Sequence, residues 1–121
     1  MFYCSKCDQD LPESLFYKRK NGNKQPWCKP CRKQYFLERY NERSSYIRKL
    51  KEVPCNDCGI VYHYAVMQFD HIKGIKKFDI SRAISTNIKW DKIIQEIEKC
   101  EVVCANCHAM RTFKRRSRIV A

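Results

Sequence analysis

The stretch Val103-Cys104-Ala105-Asn106-Cys107-His108 decides how this chain is read. It holds the last of four Cys-x-x-Cys pairs, after Cys4/Cys7, Cys28/Cys31 and Cys55/Cys58, and it runs straight into a histidine. A Cys-x-x-Cys knuckle turns the backbone so that two thiolates point into one space, and two knuckles complete the tetrahedron that zinc prefers. The pairs therefore make two structural Zn2+ sites, one from Cys4, Cys7, Cys28 and Cys31, the other from Cys55, Cys58, Cys104 and Cys107. The competing reading is a disulfide framework, which would suit a small secreted scaffold. Met1-Phe2-Tyr3 leads into the first knuckle without an apolar run, so no secretory signal is expected and the reducing cytoplasm is the expected location. The odd cysteine, Cys100, is read as a small buried hydrophobe and not as a ligand.

A chain of 121 residues is one domain or two very small ones, and neither half can bury much core unaided. Structural zinc contributes on the order of 10 kcal/mol to folding, more than the net stability of a typical small domain. No apolar run approaches the ~20 residues that cross a bilayer, so no membrane association is expected. The formal net charge is +12, from 25 Lys and Arg against 13 Asp and Glu. Such an excess points to a polyanion, first of all nucleic acid, because cations bound to phosphate release condensed counterions.

Residues 1–33 are expected to form a zinc-ribbon-like or treble-clef module, with Lys18-Arg19-Lys20-Asn21-Gly22 as a hairpin turn. A basic linking helix over 34–52 starts near Lys29 or Pro30 and carries Arg32, Lys33, Arg39, Arg43, Arg48 and Lys49. It could bridge the modules, lie along a phosphate backbone or simply be solvated. Pro54 marks a break before a second module, residues 53–116, followed by a basic tail over 117–121. The β-branched and aromatic run from Ile60 to Phe69 predicts a strand that delivers Asp70 and His71 at its end. Trp90, Ile93, Ile94 and Ile97 fall at helical spacing and read as core. A short strand over Glu101-Val102-Val103 enters the last knuckle, and a helix from His108 to Arg116 leaves it.

Within this second module, Phe69-Asp70-His71-Ile72 and Val103-Cys104-Ala-Asn-Cys107-His108-Ala-Met-Arg111-Thr112 together resemble the HNH endonucleases, over about residues 53 to 116. The resemblance implies a small zinc-stabilised α+β fold: an N-terminal Cys4 finger, a linking helix, and a ββα-metal module with a second Cys4 zinc. It implies that Asp70 and His108 hold one catalytic divalent metal, Mg2+ or Mn2+, and that His71 is the general base. The chemistry is coherent for these residue types. An imidazole with an unperturbed pKa of about 6.5 can take a proton from water. A carboxylate with an imidazole suits a hard divalent ion, with nickel or cobalt as replacements in vitro. Arg111, one turn beyond His108, could hold a phosphate, and Thr112 occupies a position where some relatives carry a further ligand. Lys73, Lys76, Lys77, Lys114, Arg115, Arg116 and Arg118 read as general DNA-backbone contacts.

Each of these residues has a plainer reading. Asp70 could cap a turn, His71 could be a packed loop histidine, His108 could join the zinc, and Arg111 could be a solvated charge. His63, between Tyr62 and Tyr64, reads as a structural strand residue. The resemblance implies a middle Asn that ties down the loop and orients the base, and Asn87, the only Asn between His71 and the last knuckle, is the candidate for it, although it departs from the pattern by preceding a helical stretch. The expected function is metal-dependent hydrolysis of DNA phosphodiester bonds, in a free-standing enzyme similar to those of phages and mobile elements. The alternative is a non-catalytic double zinc-finger protein that binds nucleic acid. One site per chain predicts nicking by a monomer, while a double-strand cut would need a homodimer.

Overall fold

A computed structural model describes residues 1 to 120, and side chains up to Ser117; Arg118, named above as a backbone contact, lies outside the described side chains. The fold is small and α+β, and it divides into two compact units, Met1–Glu42 and Arg43 onward. The division falls inside helix α1 (Lys29–Lys51), which begins within the second knuckle, where Pro30 is compatible with a first turn. It carries no continuous apolar stripe, and only Arg43 and Ile47 of it are buried.

In the first unit, β1 (Phe2–Cys4) and β2 (Gln9–Leu11) pair antiparallel around the first knuckle. The expected turn is present: Arg19 N–H donates to the Asn23 carbonyl (2.6 Å), and Lys18 bridges to Lys24. Cys4, Phe16 and Cys28 are buried, with Phe2, Leu11, Leu15 and Trp27 packed around them. Phe16 is the one large apolar side chain buried in this core, worth about 3 kcal/mol at most, and the partly buried residues around it add less each.

The second unit contains β3 (Met67–His71), α2 (Ile80–Ala83), α3 (Trp90–Ile97), β4 (Cys100–Cys104) and α4 (Ala105–Val120). β3 and β4 are antiparallel, with Met67 opposite Cys104 and His71 opposite Cys100. The strand expected from Ile60 starts only at Met67. Ile60 gives its carbonyl to the Cys55 N–H in the knuckle (3.0 Å), and His63 caps a single 3-10 turn over Tyr64–Val66, accepting from the Ala65 N–H at Nδ1 (3.1 Å). His63 is therefore a cap and not a strand residue. Helix α4 starts before His108 and runs past Arg116, so residues 117 to 120 continue it and form no separate tail; Ala121 lies outside the described residues.

Two cores hold this unit. Ile47, Ile80, Ala83 and Ile93 form one, with Phe69, Trp90, Ile97 and Cys100 packed on it. Cys55, Met67, Val103 and Cys104 form the other. Cys100 is half-buried, its thiol donating to the Glu96 carbonyl (3.4 Å), and it belongs to neither thiol cluster. Among the described residues, no helix is long and apolar enough to cross a membrane.

Candidate functional site

The eight knuckle cysteines gather as the sequence pairs them: the sulfurs of Cys4, Cys7, Cys28 and Cys31 lie within 4.8 Å of one another, as do those of Cys55, Cys58, Cys104 and Cys107. A Zn–S bond of about 2.3 Å in a tetrahedron separates neighbouring sulfurs by about 3.8 Å, so both groups could hold a structural zinc ion. Burial pushes the Cys4 and Cys55 thiols up, but backbone N–H groups directed at their sulfurs outweigh it and bring both down to about 6. Hydrogen bonding to Cys28 and Cys104 respectively, with burial, instead raises Cys31 and Cys107 to about 12. Four sulfurs this close cannot all ionise without a cation among them.

β3 delivers adjacent residues in opposite directions, as the period of a strand requires. Gln68 and Asp70 meet α4. Asp70 is 3 % exposed and accepts both guanidinium nitrogens of Arg115 (3.0 and 2.7 Å) and one of Arg111 (2.9 Å). Burial pushes its carboxyl up, and the two arginines outweigh that and hold it at about 2. His108 Nδ1 lies 2.6 Å from Gln68 Oε1, and its Nε2 lies 3.4 Å from Asp70 Oδ1. An amide oxygen can only accept, so Nδ1 carries the proton. In the neutral ring the Nε2 lone pair then faces a carboxylate oxygen, an arrangement that calls for a proton or a cation between them. One carboxylate oxygen and one imidazole nitrogen are ligand types that a divalent ion takes, but Arg111 and Arg115 already donate to both oxygens of this carboxylate.

His71 turns the other way, toward α3. Its Nε2 lies 3.0 Å from Oε2 of Glu96, a carboxylate that is 1 % exposed. Glu96 Oε2 also accepts the Lys77 backbone N–H (3.0 Å), and Oε1 accepts Lys99 Nζ (2.7 Å). Burial pushes Glu96 up, yet Lys99, the Lys77 amide and His71 together hold it at about 2. His71 and His108 line one cleft of about 260 Å3 with Lys51, Gln68, Lys76, Asp79 and Ser81. Lys51 lies over the Phe69 ring (5.4 Å), and burial lowers its pKa.

The sequence-based residues are thus partly gathered. His71 and His108 reach one cleft, while Asp70, which is not in its lining, meets His108 and not His71. Arg111 is committed to carboxylates: its Nε and Nη2 donate to Asp57 (2.7 and 2.5 Å), its Nη1 to Asp70, and Glu101 lies 3.5 Å away. Holding a phosphate would require exchanging one of these partners. Arg115 also serves Asp70, and Lys76 pairs with Asp79. Lys73, Lys77, Lys114 and Arg116 are exposed. Thr112 returns its hydroxyl to the His108 carbonyl (3.1 Å). Asn87 is exposed, and among the described residues its side chain makes no hydrogen bond to Asp70, His71 or His108. Gln68, Lys51 and Glu96 were missed from sequence. Only Glu96 left a signal, an acid three residues after Ile93 on the apolar face of α3.

Comparison with protein-family models, with curated proteins and with solved structures gives no match.

Proposed function

We propose that the chain is a metal-dependent endonuclease of the HNH type that hydrolyses DNA phosphodiester bonds by histidine-activated water. One observation carries the reading: His71 and His108, reaching one cleft from β3 and α4, stand beside two ionised and nearly fully buried carboxylates, Glu96 and Asp70. Buried charges are costly, and a pair of them each turned toward a histidine is the kind of arrangement found where chemistry is performed.

His71 takes a proton from water as the O–H bond breaks and the oxygen forms a bond to phosphorus. The bond from phosphorus to the 3′ oxygen breaks, leaving a 5′-phosphate and a 3′-hydroxyl once that oxygen is protonated. Asp70 and His108 are the residues that would hold Mg2+ or Mn2+, which when bound supplies Lewis acidity to the phosphate and the leaving oxygen. Lys51 places positive charge on the cleft wall, where a phosphate enters, while Lys76 is paired there with Asp79. The exposed cations Lys73, Lys77, Lys114 and Arg116 add sequence-independent contacts to the DNA backbone. The two zinc ions are structural.

A second reading has support of its own. Asp70 is covered by two guanidinium groups, as a buried structural carboxylate would be, which favours a zinc-finger protein that binds nucleic acid without cleaving it. Supercoiled plasmid with Mg2+ or Mn2+ separates the two. The nuclease reading expects nicking that a chelator stops and that His71→Ala abolishes with the fold intact by circular dichroism. Binding without cleavage in any divalent ion would establish the second reading.

A further inference from the structure

We infer that Glu96 is a positioning residue for His71, fixing which ring nitrogen is free to act as the base. The inference rests on the nuclease reading and assigns a role within that same site.

The argument starts from what each atom can do. Glu96 is ionised and can only accept hydrogen bonds. Its carboxylate is aligned from three directions: Lys99 Nζ on Oε1, and the Lys77 N–H and His71 Nε2 on Oε2. Lys99 Nζ is itself fixed by the Ile75 carbonyl (2.8 Å), so the carboxylate cannot turn without breaking several bonds. His71 Nε2 must therefore carry a proton. Nδ1 is then the one ring nitrogen with a lone pair, and in a ring that lines the cleft it is the atom that can accept the proton of the attacking water.

Asn87, the candidate for the middle residue of the HNH pattern, is exposed, and among the described residues its side chain makes no hydrogen bond to His71. A carboxylate arriving from α3 does the holding of the base histidine instead. The sequence places it at the buried position between Ile93 and Ile97 of that helix, which is why it reads as part of a core stripe.

The test pairs ring nitrogen NMR of His71 with plasmid-nicking kinetics, on the full zinc-loaded chain. In the parent, His71 is expected as the Nε2–H tautomer. In Glu96→Ala its signals should move to a mixture of tautomers, with kcat lowered about 10- to 100-fold and KM for DNA little changed. Glu96→Gln, whose amide oxygen can still accept from Nε2–H, should recover the tautomer and part of the rate. Circular dichroism and zinc content verify that each variant is folded, and should Glu96→Ala not fold, Glu96→Gln alone must keep the tautomer and lower kcat. A cleaving parent whose His71 signals are the same in both variants overturns the positioning role alone. A parent that holds the tautomer but cleaves nothing overturns the nuclease reading, and the role falls with it.

Discussion

In the first unit Cys28 donates its N–H to Cys4 Sγ (3.2 Å), and in the second Cys104 donates its N–H to Cys55 Sγ (3.3 Å). The residue that follows each opening knuckle, Asp8 or Gly59, has positive φ (59° and 71°) and returns its N–H to the first cysteine's carbonyl (2.9 Å in both). Both second knuckles then open a helix, α1 or α4. The frames are built alike, but what hangs on them differs. The first spans a short hairpin; the second spans a longer insert that brings in β3, α2, α3 and β4. Directly after the second knuckle, Arg32 stands where the other unit has His108, with its guanidinium over the Phe36 ring. The thiol frame is common to both units, and of the residues proposed for chemistry Asp70, His71 and Glu96 lie in the insert of the second, with His108 directly after its last knuckle.

The largest test of this comparison removes one frame at a time. Each zinc contributes on the order of 10 kcal/mol, so losing a ligand should unfold the unit it belongs to. Cys104→Ser is expected to leave one zinc per chain and no nicking, while Cys4→Ser should also leave one zinc but retain cleavage with weaker DNA binding. Zinc released to a colorimetric chelator and plasmid nicking, measured on the same samples, check both. Equal loss of cleavage in the two variants would break the comparison, because the first frame would then be needed for the chemistry of the second.

Next in size is the base. His71→Ala should lower kcat by about 10²- to 10⁴-fold, the range a positioned proton acceptor supplies. The matched change on the other frame, Arg32→Ala, should leave kcat within a factor of about two, as expected of a residue that does not line the cleft. Single-turnover nicking rates read both, and a large effect at Arg32 would place chemistry on the wrong unit.

Asp70 gives an effect on stability with a defined pH signature. Its folded pKa, about 2, lies below the unfolded carboxyl value of about 3.9. A depressed pKa lends stability that is fully present above the unfolded value and is lost as pH falls toward 2. Asp70→Asn should therefore cost about 1–3 kcal/mol, discounted because Arg115 is half exposed, and the cost should be constant from about pH 5 to pH 8. Zinc-held stability is not constant in that window: it is lost as pH falls, because protons compete for the thiolates. Urea melts of parent and variant at several pH values separate the two contributions; a cost that grew through the neutral range would mean that Asp70 is coupled to the thiol frame through Arg111 and Asp57.

The frame was legible in the sequence because eight side chains of one type, at fixed spacing, admit few geometries. The helix over Trp90–Ile97 and the strand before Cys104 were legible from period and composition. The start of β3 was not. Residues 60–66 have strand-forming composition, but their partner β4 is only five residues long and ends at Cys104, opposite Met67, where α4 begins, so nothing is left to pair with residues before Met67. Asp70, His71 and His108 could be singled out by chemistry; Gln68, Lys51 and Glu96 could not, since a glutamine, a lysine and a helical glutamate acquire meaning only from what packs against them.

The smallest predicted effect compares the basic surfaces. Lys20 in the first unit and Lys73 in the second are both exposed, with no salt bridge among the described residues. If each meets one phosphate, alanine at either should weaken DNA binding a few-fold and reduce the slope of log K against log salt by about one. The slope, unlike the affinity at one salt concentration, counts ions released and is insensitive to small changes in folding. A reduced slope for Lys73→Ala with none for Lys20→Ala would confine DNA to the unit that carries the site. A reduction in both would give the first frame its function: it adds charge along the DNA and leaves the chemistry to the insert of the second.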